Sequence, residues 1–226
     1  MALERKQKRL LIITSIVALA AVGTAFIFRK QLYSGAKFRL GKLSKFKRNL
    51  VKYLYAEHKK WDNGKIKEGD SRTMPELRKY WKAVGWEDKS DRTKIKEAWS
   101  AAFISYVMEK AGAGKDFKKS PSHSTYIRDS IKNRKENNSN PFKAYRLNEK
   151  QVEVGDLVCY SRQSGVDYDT TSRYKSHCDI VVNIDNNKAD VIGGNVGNTV
   201  GKKTVNLKNG LLNDSQKDWF TIIKTK

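Results

Sequence analysis

Two cysteines and three histidines are all that the 226 residues offer to a metal ion or a disulfide framework. Cys159 and Cys178 lack zinc spacing, and two are too few for a scaffold. They form one bond in an oxidising compartment or sit as buried thiols. His58, His123 and His177 show no metal pattern, so no metal and no other cofactor is expected. Acid is scarce beside base: 24 Asp and Glu stand against 46 Lys and Arg, for a formal charge of +22. Such an excess points to a polyanionic neighbour, whether nucleic acid, anionic lipid or cell-wall polymer. No internal repeat is visible, and the length suits one compact domain with an appendage.

The basic surplus is uneven. Residues 1–60 carry 15 Lys and Arg against Glu4 and Glu57 alone. Most of the charge therefore belongs to an N-terminal arm, which has basic residues and some aromatics but no nucleic-acid-binding motif. Anionic lipid or wall polymer is the expected partner of the arm.

Within that arm, Leu10–Phe28 is an uncharged run of 19 residues. As a helix it spans about 28 Å, the hydrocarbon thickness of a bilayer. Small residues Gly23 and Ala25 would suit a cleaved signal peptide. The continuation through Phe26, Ile27 and Phe28 instead favours a retained single-pass anchor. Positive charge is richer on its C-terminal flank, which by itself would leave the following domain in the cytoplasm. A cell-wall role requires the extracytoplasmic side. The division expected is thus a basic N-terminus at 1–9, an anchor at 10–28, a basic arm or helix at 29–60 and a folded domain at 61–226. In the arm, Leu50, Val51, Leu54 and Tyr55 share one helical face, which reads as the first helix of the domain in preference to a lipid-surface helix.

From Trp61 onward the pattern is globular. "MPELRKYWKAVGW" reads as a helix opened by Pro75 and ended by Gly85. "EAWSAAFISYVMEKAG" carries an apolar stripe of Phe103, Ile104, Val107, Met108 and Ala111, with Gly112 as its stop. "SHSTYIRDSIKNRK" is a further helix with Ser122 or Ser124 as cap. The period then changes to two. "GDLVCYSR", "HCDIVVNID", "KADVIGGNV" and "DWFTIIKTK" read as strands. Helices followed by strands indicate an α+β domain on an antiparallel sheet.

Three residues form an intelligible set. Ser100 stands at a helix N-terminus, where it is equally readable as a cap or as a nucleophile. Strand alternation points His177, Asp179 and Val181 one way and Cys178, Ile180, Val182 and Ile184 the other, toward the helices. Asn195 lies in the turn-rich "GGNVGN". A serine, an imidazole to take its proton and an amide to hold the ring would make a nucleophilic site. His123, after Pro121, either lines the groove or hydrogen-bonds within its loop, the second being favoured. Asp156 reads as a turn residue.

"WSAAF" at 99–103, "GD" at 155–156, "SHCDIVV" at 176–182 and "GGN" at 193–195 resemble the order of motifs in CHAP and NlpC-type cell-wall peptidases, relatives of papain. With "YWKAVG" and "SHSTYI", the chain over roughly 70–224 more closely resembles the bacterial and phage family called domain of unknown function 2272. The resemblance implies a papain-like α+β fold with a groove beneath the helix, Ser100 in the place of the peptidases' cysteine, His177 as base and Asn195 as orienter. Trp99, His123 and Asp179 would line the groove. It further implies a membrane-anchored hydrolase that cleaves an amide bond in a peptidoglycan peptide. The rival expectation is a catalytically inactive module that keeps the groove to bind a wall peptide or a protein partner, since serine is a weaker nucleophile than a thiolate there.

Overall fold

The computed structural model describes residues 43–226. The expected anchor at 10–28 and the start of the basic arm lie outside these residues. Among the described residues no helix is long and apolar enough to cross a membrane.

The folded unit begins at Ser44, not at Trp61. Helix α1, Lys45–Lys60, is capped by Ser44, whose hydroxyl accepts the Lys47 amide N–H at 3.1 Å. Phe46, Leu50 and Leu54 recur every four residues and sink one stripe into the core. The sequence put Tyr55 on the same face as Leu54, yet it is 41% exposed. The second half of the supposed arm is therefore a core helix. At its end, Glu57 accepts the Tyr80 hydroxyl at 2.6 Å, and Tyr80 in turn accepts the Trp61 indole N–H at 3.0 Å. That chain satisfies a buried carboxylate that would otherwise be costly.

Helix α2, Met74–Lys82, carries Pro75 in its first turn. The short α3, Asp91–Lys96, is capped by Ser90. Helix α4, Ser100–Ala111, buries every side chain except Glu109 and Lys110 and stops on Gly112 in the left-handed region, φ 94°. Helix α5 is His123–Lys135.

Seven antiparallel strands follow: β1 Lys143–Tyr145, β2 Leu157–Ser161, β3 Ser176–Asp185, β4 Lys188–Gly193, β5 Gly201–Lys208, β6 Leu211–Leu212 and β7 Asp218–Lys224. Their order across the sheet is β1-β7-β2-β3-β4-β5-β6. The architecture is the α+β arrangement expected. One face, with Leu157, Cys159, Cys178, Ile180, Val182 and Ile192, packs on the helices. The other face curls over Val158, Val181, Val191, Val205 and Trp219. Ile184 departs from simple alternation. The β3–β4 register slips between Val181 and Asn183, and this bulge turns Ile184 to the second face.

Cys159 and Cys178 stand opposite each other in the β2–β3 register and form a disulfide closing 19 residues. Asp156 serves the turn expected, accepting the Glu153 amide N–H at 2.8 Å, and being fully buried with Lys47 at 3.4 Å and Lys224 at 2.5 Å it also knits α1 and β7 into the sheet.

Candidate active site

The residues around Ser100 are positioned by two local devices. Phe103, one turn into α4, packs directly on Gly194, where an added Cβ would lie 2.5 Å from the Phe103 Cβ. The glycine lets the helix mouth meet the sheet. Farther along α4, the buried Ser105 hydroxyl donates to the Ser120 carbonyl at 3.1 Å and accepts the Ser120 amide at 3.0 Å. Ser120 Oγ then accepts the Ser122 amide at 3.0 Å. This two-point clamp fixes the Pro121 loop against α4 and aims the first residue of α5 back at the helix mouth.

That first residue is His123. Its Nε2 lies 2.7 Å from Ser100 Oγ, and its Nδ1 is hydrogen-bonded to the Tyr126 hydroxyl, one turn along α5. The expected partner, His177, is elsewhere engaged: its Nε2 lies 3.0 Å from Asp179 Oδ1. The Lys203 ammonium stands 2.8 Å from the other Asp179 oxygen. The two imidazole rings are neighbours, with centroids 5.1 Å apart, but they belong to separate chains of contacts.

The ring chosen by Ser100 corrects the reading of His123 as a loop residue and of His177 as the hydroxyl's partner. Strand alternation explains the latter. His177 and Asp179 share the face of β3 that points away from α4, so the carboxylate two residues on captures the imidazole. Asn195 is not the orienter either. It sits at φ 55°, a left-handed turn position, and among the described residues no hydrogen bond joins it to either imidazole. The glycines before it carry the geometry: a Cβ on Gly193 would lie 1.9 Å from Asp179 Oδ1. Of the other expected groove residues, Trp99 is fully buried, stacked on Trp61 at 4.9 Å, with its indole N–H donated to Glu68. Asp179 is also fully buried beneath the site.

Ser100 does not cap its helix. The N-cap is Trp99, and the Ser100 hydroxyl turns to the imidazole instead of to a backbone N–H. The first N–H groups of α4 lack intrahelical acceptors and lie at the helix mouth beside Ser100.

Electrostatics separate the two rings. Burial, reinforced by neighbouring His177, holds the His123 imidazole well below the usual histidine range against a weaker pull from Asp179. Burial and then Asp179 lift the Tyr126 hydroxyl well above its ordinary value. Both are therefore neutral, and a neutral imidazole has one donor and one acceptor nitrogen. In the tautomer with hydrogen on Nδ1, Tyr126 accepts, and Nε2 is free to take the Ser100 proton. For Asp179, burial would raise the carboxyl, but His177 and then Lys203 overcome it and hold it far below the usual carboxylate range.

Ser100 and His123 open onto a groove of 820 Å³. Trp81, Trp86 and Glu97 line it from the helical segment, and Arg162, Arg173 and Lys175 line it from the β2–β3 connection. This is a concave site with convergent polar groups. A family model, described as an uncharacterized protein conserved in bacteria (DUF2272), matches residues 72–225. The chain belongs to this family. The match spans Ser100, His123, Tyr126, His177 and the groove, and it leaves out α1. No curated protein and no solved structure matches the chain.

The partnership of Ser100 with His123 was within reach of the sequence. "SHSTYI" places a histidine and a tyrosine three apart on one helix face directly after a Pro loop, a spacing that lets one hydroxyl hold one ring. Nothing in the spacing says which histidine of the two meets the serine, because that depends on the Ser105–Ser120 clamp.

Proposed function

We propose that this domain is a papain-like serine hydrolase acting on an amide bond of a peptidoglycan peptide, with Ser100 as nucleophile and His123 as base. The observation that carries the reading is the 2.7 Å contact between Ser100 Oγ and His123 Nε2 at the floor of the groove. The peptidoglycan substrate and the papain-like kinship rest on the motif order of "WSAAF", "GD", "HCDIVV" and "GGN".

In this reading His123 Nε2 takes the hydroxyl proton as Ser100 Oγ attacks the amide carbonyl. The oxyanion forms against the free N–H groups at the mouth of α4. The imidazolium returns its proton to the leaving amine, and the C–N bond breaks to leave an ester on Ser100. A water then gives its proton to His123 and its oxygen to the acyl carbon, freeing the serine. Tyr126 holds the ring in the productive tautomer, the part an Asn or Asp plays in related sets. His177 and Asp179 act from beneath as a buried hydrogen-bonded pair.

The single-pass anchor at 10–28 would hold the domain at the membrane, with the basic arm against anionic lipid or wall polymer. The Cys159–Cys178 bond supports the extracytoplasmic side, where disulfides persist, against the cytoplasmic orientation suggested by the flanking charge.

A second reading is a binding module that does not cleave. It is favoured by the depressed basicity of His123, since a base far below the working pH abstracts a proton poorly. The deciding test incubates the full chain in detergent with isolated peptidoglycan, as wild type, Ser100→Ala, Ser100→Cys and His123→Ala. Peptide release by wild type and by neither alanine variant supports the hydrolase. Release by Ser100→Cys alone supports the binder.

A further inference from the structure

We infer that the β2–β3 connection forms an anion subsite beside Ser100, and that the groove takes a peptide bearing a free carboxylate near the bond it presents. This deepens the proposed function and rests on that reading of the groove.

The connection contributes Arg162, Arg173 and Lys175 to the groove lining, whereas the helical segment contributes Trp81, Trp86 and Glu97. Among the described residues four arginines elsewhere are used as grips, while Arg92 and Arg128 are not. Arg72, Arg78, Arg134 and Arg146 each hold a carboxylate, on Asp70, Asp91, Glu149 and Asp169. Among the described residues, no carboxylate is paired with Arg162, Arg173 or Lys175. These three leave their charge facing the groove, within reach of an incoming anion.

A second observation comes from hydroxyls. Tyr174 and Ser176 line the same groove and are 4% and 8% exposed. Their side-chain oxygens are buried and have no hydrogen-bond partner. A buried hydroxyl without a partner costs about 1–3 kcal/mol, so its retention needs a reason. Along 173–176 the two hydroxyls alternate with two cations, Arg173 and Lys175, and Arg162 adds a third from the start of the connection. Together they form a donor-rich lining that includes no carboxylate on the side of the connection. A carboxylate is the matching group: guanidinium forks bind it bidentately, and hydroxyls complete its remaining lone pairs. The aromatic pair Trp81 and Trp86, stacked at 4.8 Å, gives the groove an apolar section for the rest of the peptide.

The test measures binding without turnover. The full chain carrying Ser100→Ala, in zwitterionic detergent, is titrated by calorimetry with stem peptides prepared from peptidoglycan, either native or with their carboxyls amidated. The native peptides should bind about ten-fold tighter or more, as charge-assisted hydrogen bonds require. Adding Arg162→Gln and Arg173→Gln should erase that difference while leaving the amidated peptides' affinity unchanged. Both arginines are exposed, so the variants keep the fold, which circular dichroism checks. Equal binding of both peptide forms, a difference that survives the two substitutions, or binding of neither form overturns the subsite. So does competition by inorganic phosphate at the peptides' own affinity, which would assign the cations to a phosphate polymer. Cleavage by wild type without discrimination overturns the subsite alone. Discrimination in the Ser100→Ala chain without any cleavage by wild type overturns the hydrolase reading alone.

Discussion

Two histidines sit 5.1 Å apart, and the protein treats them in opposite ways. His123 is given hydroxyls on both nitrogens and kept neutral by burial. His177 is given a carboxylate, itself held anionic against burial by that imidazole and then by a lysine from β5. The first arrangement sets a ring acceptor against a hydroxyl. The second holds a buried carboxylate in place. The partner of Ser100 is thus found by asking which ring has a hydroxyl within reach and a free acceptor, rather than which histidine stands on the strand.

The sharpest way to break the comparison is to remove each ring in turn. His123→Ala should lower kcat about a thousand-fold, the loss of a general base, measured as peptide release from peptidoglycan. His177→Ala should cost far less at the chemical step. An equal loss in both would put the two rings in one catalytic unit.

Stability should divide the other way. Asp179→Ala leaves His177 and Lys203 without their buried partner and should cost about 3–5 kcal/mol in urea unfolding. His123→Ala makes a cavity but strands no charge, and it should cost less. Breaking the disulfide as Cys159→Ala with Cys178→Ala should cost about 3 kcal/mol, the chain entropy of a loop of this length. That loss should leave the Ser100–His123 contact working in whatever fraction stays folded.

Acid sharpens the distinction further. The folded-state pKa of His123 is depressed, so its contribution is intact above the unfolded value of about 6.5 and is lost as pH falls below it. His58, lowered by burial and by Lys202, adds to the same step. Asp179 is depressed too, so its contribution holds above about 3.9 and fades only below. Urea midpoints should therefore fall in two stages from pH 7 to 3, and His123→Gln should shrink the upper stage alone. The smallest effect belongs to Tyr126→Phe. It should cost about 1 kcal/mol in transition-state stabilisation through a less well-held tautomer, visible in kcat and recovered by no change of substrate.

Much of this molecule was legible before its coordinates. Gly112 stops α4 in the left-handed region because only glycine adopts it freely. Pro75 opens α2, and the β-branched runs around Val158, Val181 and Val191 became strands. Strand β5 was missed because its inward Val205 and Leu207 alternate with lysines and polar residues, which read as a charged loop. Helix α1 was legible in the spacing of Leu50, Val51 and Leu54, but its lysines led the division at Trp61 to leave it outside the folded domain. At the site, the helix mouth and its serine were visible, but the motif order paired the serine with His177, whereas its hydroxyl meets His123, and it gave Asn195 a chemical role. "GGN" is explained by space: Gly193 leaves room for Asp179, and Gly194 admits Phe103. Proximity created by a missing side chain has no signature in residue chemistry, which is why an asparagine beside two glycines drew the attention that the glycines merited.

The bond between Cys159 and Cys178 has one more effect, on connectivity. It turns the segment between them, with Arg162, Arg173 and Tyr174 inside it, into a closed covalent ring. A protease that nicks the exposed stretch around Arg162 or Arg173 opens the polypeptide without parting it. The two pieces run as one chain until a reductant is added. A cut that appears only on a reducing gel would therefore map to this arm, and one that appears without reductant would map elsewhere.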